Sequence, residues 1–330
     1  MDNIEKSTED PATIMKNLDV IPSRRGPAGL SQLNLFFALS RTPHLVLDLA
    51  TPALAALLWL GAFPSIRVII LGLVTAFAGY TAVYGLNDLV DLQTDREKLR
   101  QGGFQQSENY LDAALVRHPL AQGLLSFREG LLWVVGWALV SLIGAYLLNP
   151  ICVLIFLAGA VLEILYCLMW KISPFRVMVS GAVKTSGAVA AVFAVDPSPS
   201  FSFLAILFCW LFFWEIGGQN VPNDWAEIEE DTHLQAKTVL VQFGHQWAAV
   251  IILACVFITV LLNLALLLVV EQKFPIPYIV ASSIIGFYLL LLPAYRLLRT
   301  RERSNALILF KRASYYPLAL LIVVMVKTLA

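Results

Sequence analysis

Asn87-Asp88-Leu89-Val90-Asp91-Leu92-Gln93-Thr94-Asp95 is answered, 136 residues later, by Asn223-Asp224-Trp225-Ala226-Glu227-Ile228-Glu229-Glu230-Asp231. Both stretches set Asn, Asp, an acid and Asp at matching places, and each follows a long apolar run. On a continuous helix the i, i+4, i+8 spacing puts Asn87, Asp91 and Asp95 on one face, and Asn223, Glu227 and Asp231 likewise. Two such faces turned toward each other gather more negative charge than stability alone would retain. Hard divalent cations take oxygen ligands, and Mg²⁺ typically combines a carboxylate or two with phosphate oxygens of its substrate. The repeat therefore points to a diphosphate held through Mg²⁺ at a membrane surface.

The membrane follows from composition. Of 330 residues 58% are hydrophobic and 14% charged, against about 25% charged in an average soluble chain. The apolar residues come in runs that reach the roughly 20 needed to cross a bilayer, without a 3.6-residue stripe. Nine spans are expected, near 45–63, 66–87, 128–148, 150–170, 177–195, 201–219, 247–270, 277–298 and 306–328. Turn signals separate them at Asn149-Pro150, Ser173-Pro174, Asp196-Pro197-Ser198-Pro199-Ser200 and Phe274-Pro275-Ile276-Pro277. Lys311 and Arg312 interrupt the first turns of the last span. The fold class is thus all-α, a polytopic membrane bundle. Lys plus Arg equals Asp plus Glu at 23 each, which removes the electrostatic basis for nucleic-acid binding. Cys152, Cys167, Cys209 and Cys255 are isolated in apolar runs and read as core thiols; the four histidines have no zinc spacing.

With the amino terminus in the cytoplasm, 19 of the 23 basic residues fall on the cytoplasmic side. Such a bias fits nine spans in that orientation and places both acidic motifs on the cytoplasmic face. Residues 1–34 are expected to form a polar cytoplasmic arm and 35–330 a single membrane-embedded domain. The arm has no apolar signal-peptide core, and a bacterial inner membrane is the expected location. The long connections, about 88–127 and 220–246, each follow an acidic motif, as functional lids do.

A membrane segment, the first motif, further membrane segments, and then Asn223-Asp224 through Asp231 to Lys237-Thr238 together resemble the UbiA superfamily of intramembrane prenyltransferases. The resemblance runs from about residue 35 onward. Arg41-Thr42-Pro43 is similar to the family's entry to its first helix, and Arg117-His118-Pro119-Leu120-Ala121-Gln122-Gly123 to its Arg-Pro-Leu-Pro-Ser-Gly segment. Lys237-Thr238-Val239-Leu240-Val241-Gln242-Phe243-Gly244 matches the stretch after its second motif. The departures are an insertion at Leu99–Val116, His118 between Arg and Pro, Gln235 where the family has Gly, and Glu227 for Asp.

The resemblance implies a helical bundle around a central cavity, with two Mg²⁺ ions between the motifs and the diphosphate of an isoprenoid donor. Asn87, Asp88, Asp91 and Asp95 are the expected ligands on one side, and Asn223, Asp224, Glu227 and Asp231 on the other. Asp91, Asp95 and Asp231 are the acids expected to be indispensable. Arg96, Lys98, Arg117, Lys171 and Lys237 lie on the correct side to share the diphosphate charge. Asp48, Glu163, Lys184 and Glu215 lie inside spans, where ionisable groups are costly and need partners; Lys184 can pair with Asp48, with Glu163 or with a phosphate. Tyr166 and Trp170 can flank a cation or form an interfacial belt. The expected activity is transfer of a polyprenyl group from its diphosphate to an acceptor, a phenolic or quinone-precursor ring ahead of a lipid or tetrapyrrole alcohol. A membrane terpene cyclase needs the same ionisation machinery and no acceptor. A cation-coupled transporter would hold its carboxylates near the bilayer midplane.

Overall fold

The computed structural model describes residues 31–100, 115–270 and 274–329. Most of the expected arm and most of the 99–116 insertion lie outside these residues. The described chain is helical, and nine of its helices are long and apolar enough to cross a membrane. These are α2 (Thr42–Leu60), α3 (Ile66–Val90), α5 (Phe127–Leu148), α6 (Pro150–Leu168), α7 (Arg176–Val195), α8 (Phe201–Ala226), α10 (Val239–Val269), α11 (Ile276–Thr300) and α12 (Arg303–Leu329). Short helices α1 (Gln32–Leu39), α4 (Leu92–Arg100) and α9 (Ile228–His233) cluster around the motifs.

Local chemistry sets the boundaries. Ser65, Ser126, Asn149, Ser200 and Thr238 cap α3, α5, α6, α8 and α10 by accepting from backbone N–H groups of the first turn. At α5 the cap is reciprocal, because Glu129 also accepts from the Ser126 N–H at 2.8 Å. Helix α10 starts eight residues before the expected span. Gly244, at φ +76° and ψ 169°, leaves the helical region and divides α10 at a kink into a short first segment and a long second one. Helix α12 runs through Lys311 and Arg312, and Arg312 donates to the Tyr288 carbonyl at 3.2 Å, beside the wide turn Phe287–Leu291 of α11.

Helices adjacent in sequence pack side by side from α5 through α8, α10 follows α8, and α12 closes the ring against α2. The densest core fills the side built by α8, α10, α11 and α12, where Trp210, Trp214, Trp225 and Tyr316 are fully buried. Outward faces of α3, α5 and α6 expose Ile70, Leu73, Leu132, Leu139, Ile143 and Leu154, as surfaces solvated by lipid tails do. The ring encloses a cavity of about 660 Å³. Along α3 its lining runs from Val68 to Asp88, about 30 Å at 1.5 Å per residue. One end is lined by the acidic motifs, and the rest of its length is largely apolar.

Candidate active site

Both motifs break their helices at the same place. Asp91 ends α3 at φ −84°, ψ 2°, and Glu227 ends α8 at φ −107°, ψ 13°. The expected continuous helical face is therefore divided, in each half, between the end of a long span and a short helix, joined at the middle acid. The break turns α4 back over the cavity mouth, and this bridges the two motifs. Lys98 on α4 places Nζ 3.0 Å from Glu227 and 3.5 Å from Asp231, with its ammonium 5.0 Å from the Trp170 ring centre.

Three further basic side chains at the mouth contact motif residues. Arg41 donates to Asn87 at 3.2 Å and to Asp88 at 3.1 Å. His118 Nδ1 lies 2.8 Å from Asp95 and 3.3 Å from Asp88. Arg117 pairs with Glu227. Arg41 and His118 hold left-handed backbones, φ 46° and 49°, a conformation that is uncommon outside glycine. The strain marks two side chains that tertiary contacts force into the site.

These charges set the ionisation of the acids. Burial raises Glu227, but Lys98 and Arg117 outweigh it and hold the carboxyl well below its usual range. Burial lowers His118, but Asp95 and Asp88 outweigh it and bring the imidazole up to about 9. Burial, helped by Asp95, pushes Asp91 up to about 6. Asp231 also rises to about 6, chiefly through burial and beside Glu227, against the pull of Lys98. Among the described residues no basic side chain lies within ion-pair distance of Asp91.

The donor set fits a hard divalent cation. Carboxylate oxygens of Asp88 and Asp95 lie within 4.8 Å of each other around the His118 imidazole, and among the described residues Asp91 is a crowded carboxylate with no counter-charge in ion-pair contact. Asn87, Asp88, Asp91, Asp95, Asn223 and Glu227 line the cavity. Asp224 and Asp231 are buried without lining it, and Asp231 reaches the mouth through Lys98.

Of the six basic residues expected at the diphosphate, Lys98, Arg117 and Lys184 line the cavity. The other three do not. Lys171 pairs with Glu97 on the surface, Lys237 is exposed, and Arg96 lies outside the lining. Counting charges per membrane side carries no information on the direction around a helix. Arg96 and Lys98, two residues apart, point nearly opposite ways. Lys184 resolves to Asp48, at 2.6 Å, with Tyr84 donating to the same carboxylate. Glu163 accepts from Asn87 at 2.7 Å and orients that amide. Tyr166 and Trp170 both line the cavity with cations on their faces, Arg176 at 4.1 Å and Lys98 at 5.0 Å from the ring centres. Arg41, His118 and Arg176 were not among the expected site residues. The available signals were Arg41 beside Pro43, the departure at His118, and a basic residue opening an apolar span.

The UbiA prenyltransferase family profile matches residues 49–315. The chain belongs to the UbiA prenyltransferase family. Its fold is similar to that of a UbiA homologue from Archaeoglobus fulgidus bound to GPP and Mg²⁺, with TM-score 0.66 and 18% identity over 90% of this chain and 100% of that one. A UbiA homologue from Aeropyrum pernix K1 gives TM-score 0.65 and 19% identity over 87% of this chain and 97% of that one. Digeranylgeranylglyceryl phosphate synthase gives 0.65 and 16% over 91% and 99%. Comparison with curated proteins found no significant match. The UbiA fold accounts for the helical bundle.

Proposed function

We propose that this protein transfers a polyprenyl group from its diphosphate to an acceptor, with an aromatic ring of the phenol or quinone-precursor kind as the leading class. The carrying observation is the convergence of both acidic motifs on one end of a long, largely apolar cavity. The match to structures bound to GPP or DMAPP with Mg²⁺ supports the same reading. Asn87, Asp88, Asp91 and Asp95 would hold the metal on one side, and Asn223, Asp224, Glu227 and Asp231 on the other. Mg²⁺ bound there supplies Lewis-acid stabilisation of the charge on the leaving diphosphate.

The chain's own residues do the rest. In the metal-free arrangement Arg41, Lys98, Arg117 and His118 neutralise the motif acids. With those acids engaged by a cation, the same donors would be available to hold diphosphate oxygens through charge-assisted bonds. The isoprenoid tail lies along the apolar length beside Ala76, Ile155, Phe156 and Ala190. That lining excludes the water that would quench an allylic cation. The basic bias of the loops supports a cytoplasmic mouth and amino terminus, with the bacterial inner membrane as the proposed location.

The test is mass spectrometry of products formed by the protein with Mg²⁺, geranylgeranyl diphosphate and a cell lipid extract. A species heavier than an acceptor by one prenyl unit establishes transfer. A terpene with no acceptor attached makes the protein a cyclase of the same fold.

A further inference from the structure

Helix α8 contains a wide turn, a π-helical segment at Glu215–Asn220, just before the second motif. Such insertions recur at functional sites because they redirect side chains within a helix. Gly217 and Gly218 make this one fit. A Cβ on Gly217 would lie 2.7 Å from Cys255 Cβ, and one on Gly218 would lie 2.9 Å from Ala313 Cβ. The turn is therefore clamped between α10 and α12 by its glycines, while Glu215, Gln219 and Asn220 line the cavity.

The polar atoms of this turn are unevenly satisfied. Ser180 donates its only proton to Glu215 Oε1 at 2.8 Å and accepts from Asn220 Nδ2 at 3.1 Å. Asn220 Nδ2 also donates to the Tyr166 hydroxyl at 2.8 Å. That leaves Glu215 Oε2 and Asn220 Oδ1, both buried, without a hydrogen-bond partner among the described residues. Glu215 and Asn220 are each 7% exposed. Lys184, on the same cavity, is paired with Asp48. Two fixed acceptor oxygens with no donor are costly in an apolar interior unless a ligand brings hydrogens. Asn220 and Glu215 precede Asn223 by three and eight residues, about 5 and 12 Å along the helix. Both residues therefore sit between the second motif and the apolar length of the cavity.

We propose that Glu215 and Asn220 are the docking site for the hydroxyl group of the acceptor, and that Glu215 takes the hydroxyl proton during transfer. The inference rests on the transferase reading and deepens it: the acceptor is a hydroxyl-bearing molecule, an alcohol or a phenol. The allylic carbon–oxygen bond breaks with its electron pair leaving on the diphosphate. The new bond forms from that carbon to the acceptor oxygen or, in a phenol, to the conjugated ring carbon. In either case the hydroxyl proton passes to Glu215 Oε2; after attack by a ring carbon, the hydrogen on that carbon leaves to the released diphosphate and the oxygen regains its proton from Glu215, which restores the aromatic ring. Ser180 is a positioning residue, since it holds both oxygens in place.

The test uses the full chain in detergent with Mg²⁺ and geranylgeranyl diphosphate, reading diphosphate release without acceptor and adduct formation with 1-naphthol or 1-decanol. Glu215→Gln should lower kcat for adduct formation by about 100-fold or more, while acceptor-free diphosphate release stays within about threefold of wild type. Glu215→Asp should recover part of the loss. Ser180→Ala should raise KM for the hydroxyl probe about tenfold and change kcat by less than about threefold. Equal adduct rates in Glu215→Gln and wild type overturn this inference and leave the transferase reading standing. A parallel fall in release and adducts also overturns it, because Glu215 then serves the donor or the fold. A wild type that releases diphosphate but prenylates neither probe overturns it as well. A wild type that releases no diphosphate with Mg²⁺ overturns the transferase reading itself.

Discussion

Asp91→Asn separates metal chemistry from folding more cleanly than any other change at this site. Asp91 is a mostly buried acid with no ion-pair partner among the described residues, pushed from 3.8 to about 6 by burial and by Asp95. A carboxyl whose folded value lies above its unfolded value opposes folding once it ionises. Its penalty is absent below about 4, grows as pH rises, and is complete above about 6. Raising a carboxyl from 3.8 to about 6 corresponds to something on the order of 2–3 kcal/mol. The neutral amide should therefore stabilise the metal-free protein by up to that amount at pH 7.5, and by roughly a third of it at pH 4.5. Turnover should move the other way, falling about 10³-fold or more as one Lewis-acid contact is lost. The assay is unfolding in detergent with chelator at the two pH values, beside diphosphate release with Mg²⁺. Near-wild-type turnover, or a less stable variant at pH 7.5, would refute the reasoning.

Three further outcomes follow from the same geometry. Lys98→Met removes the cation shared by Glu227 and Asp231 and should cost about 3–5 kcal/mol of metal-free stability; denaturant titration without metal reads it, and a neutral result would mean the bridge is not formed. Gln235 holds φ 55° at the position where the family carries glycine. Gln235→Gly should gain about 0.5–1 kcal/mol, the left-handed penalty less the extra entropy of a glycine, with turnover unchanged; a destabilised variant would show that Gln235 makes a contact of its own. Asp91 and Asp231 both titrate near 6 without metal. Mg²⁺ must displace their protons below that value, so its affinity should fall by up to about 100-fold per pH unit in acid. Calorimetric titration at pH 5 and pH 7.5 checks this, and a flat profile would remove both acids from the metal site.

Spacing and composition made the spans legible, because a bilayer leaves few choices for a run of apolar residues. All nine expected spans overlap the nine candidate spans of the structure. The two motifs were legible as a pair because their spacing repeats, but not the break at Asp91 and Glu227, since nothing in an acidic run announces which residue ends a helix. The basic partners were the least legible. Lys98 and Lys171 look alike in sequence, yet one is buried across from the second motif and the other is half exposed beside Glu97. Arg41 was visible only as part of a helix-entry signal. Its role comes from a left-handed backbone that aims it at Asn87 and Asp88. The open pairings of Lys184 and of Tyr166 were decided by tertiary neighbours alone, Asp48 in one case and Arg176 in the other.

The central claim is that the two acidic motifs hold a prenyl diphosphate jointly through a divalent cation. Calorimetry with geranylgeranyl thiolodiphosphate, which resists ionisation, tests it directly in Mg²⁺ and in chelator. At least about 100-fold tighter binding with Mg²⁺, about 2.7 kcal/mol, and loss of that gain in both Asp91→Asn and Asp231→Asn, is the predicted result. Equal affinity with and without Mg²⁺, or a gain that survives in either variant, would contradict the account.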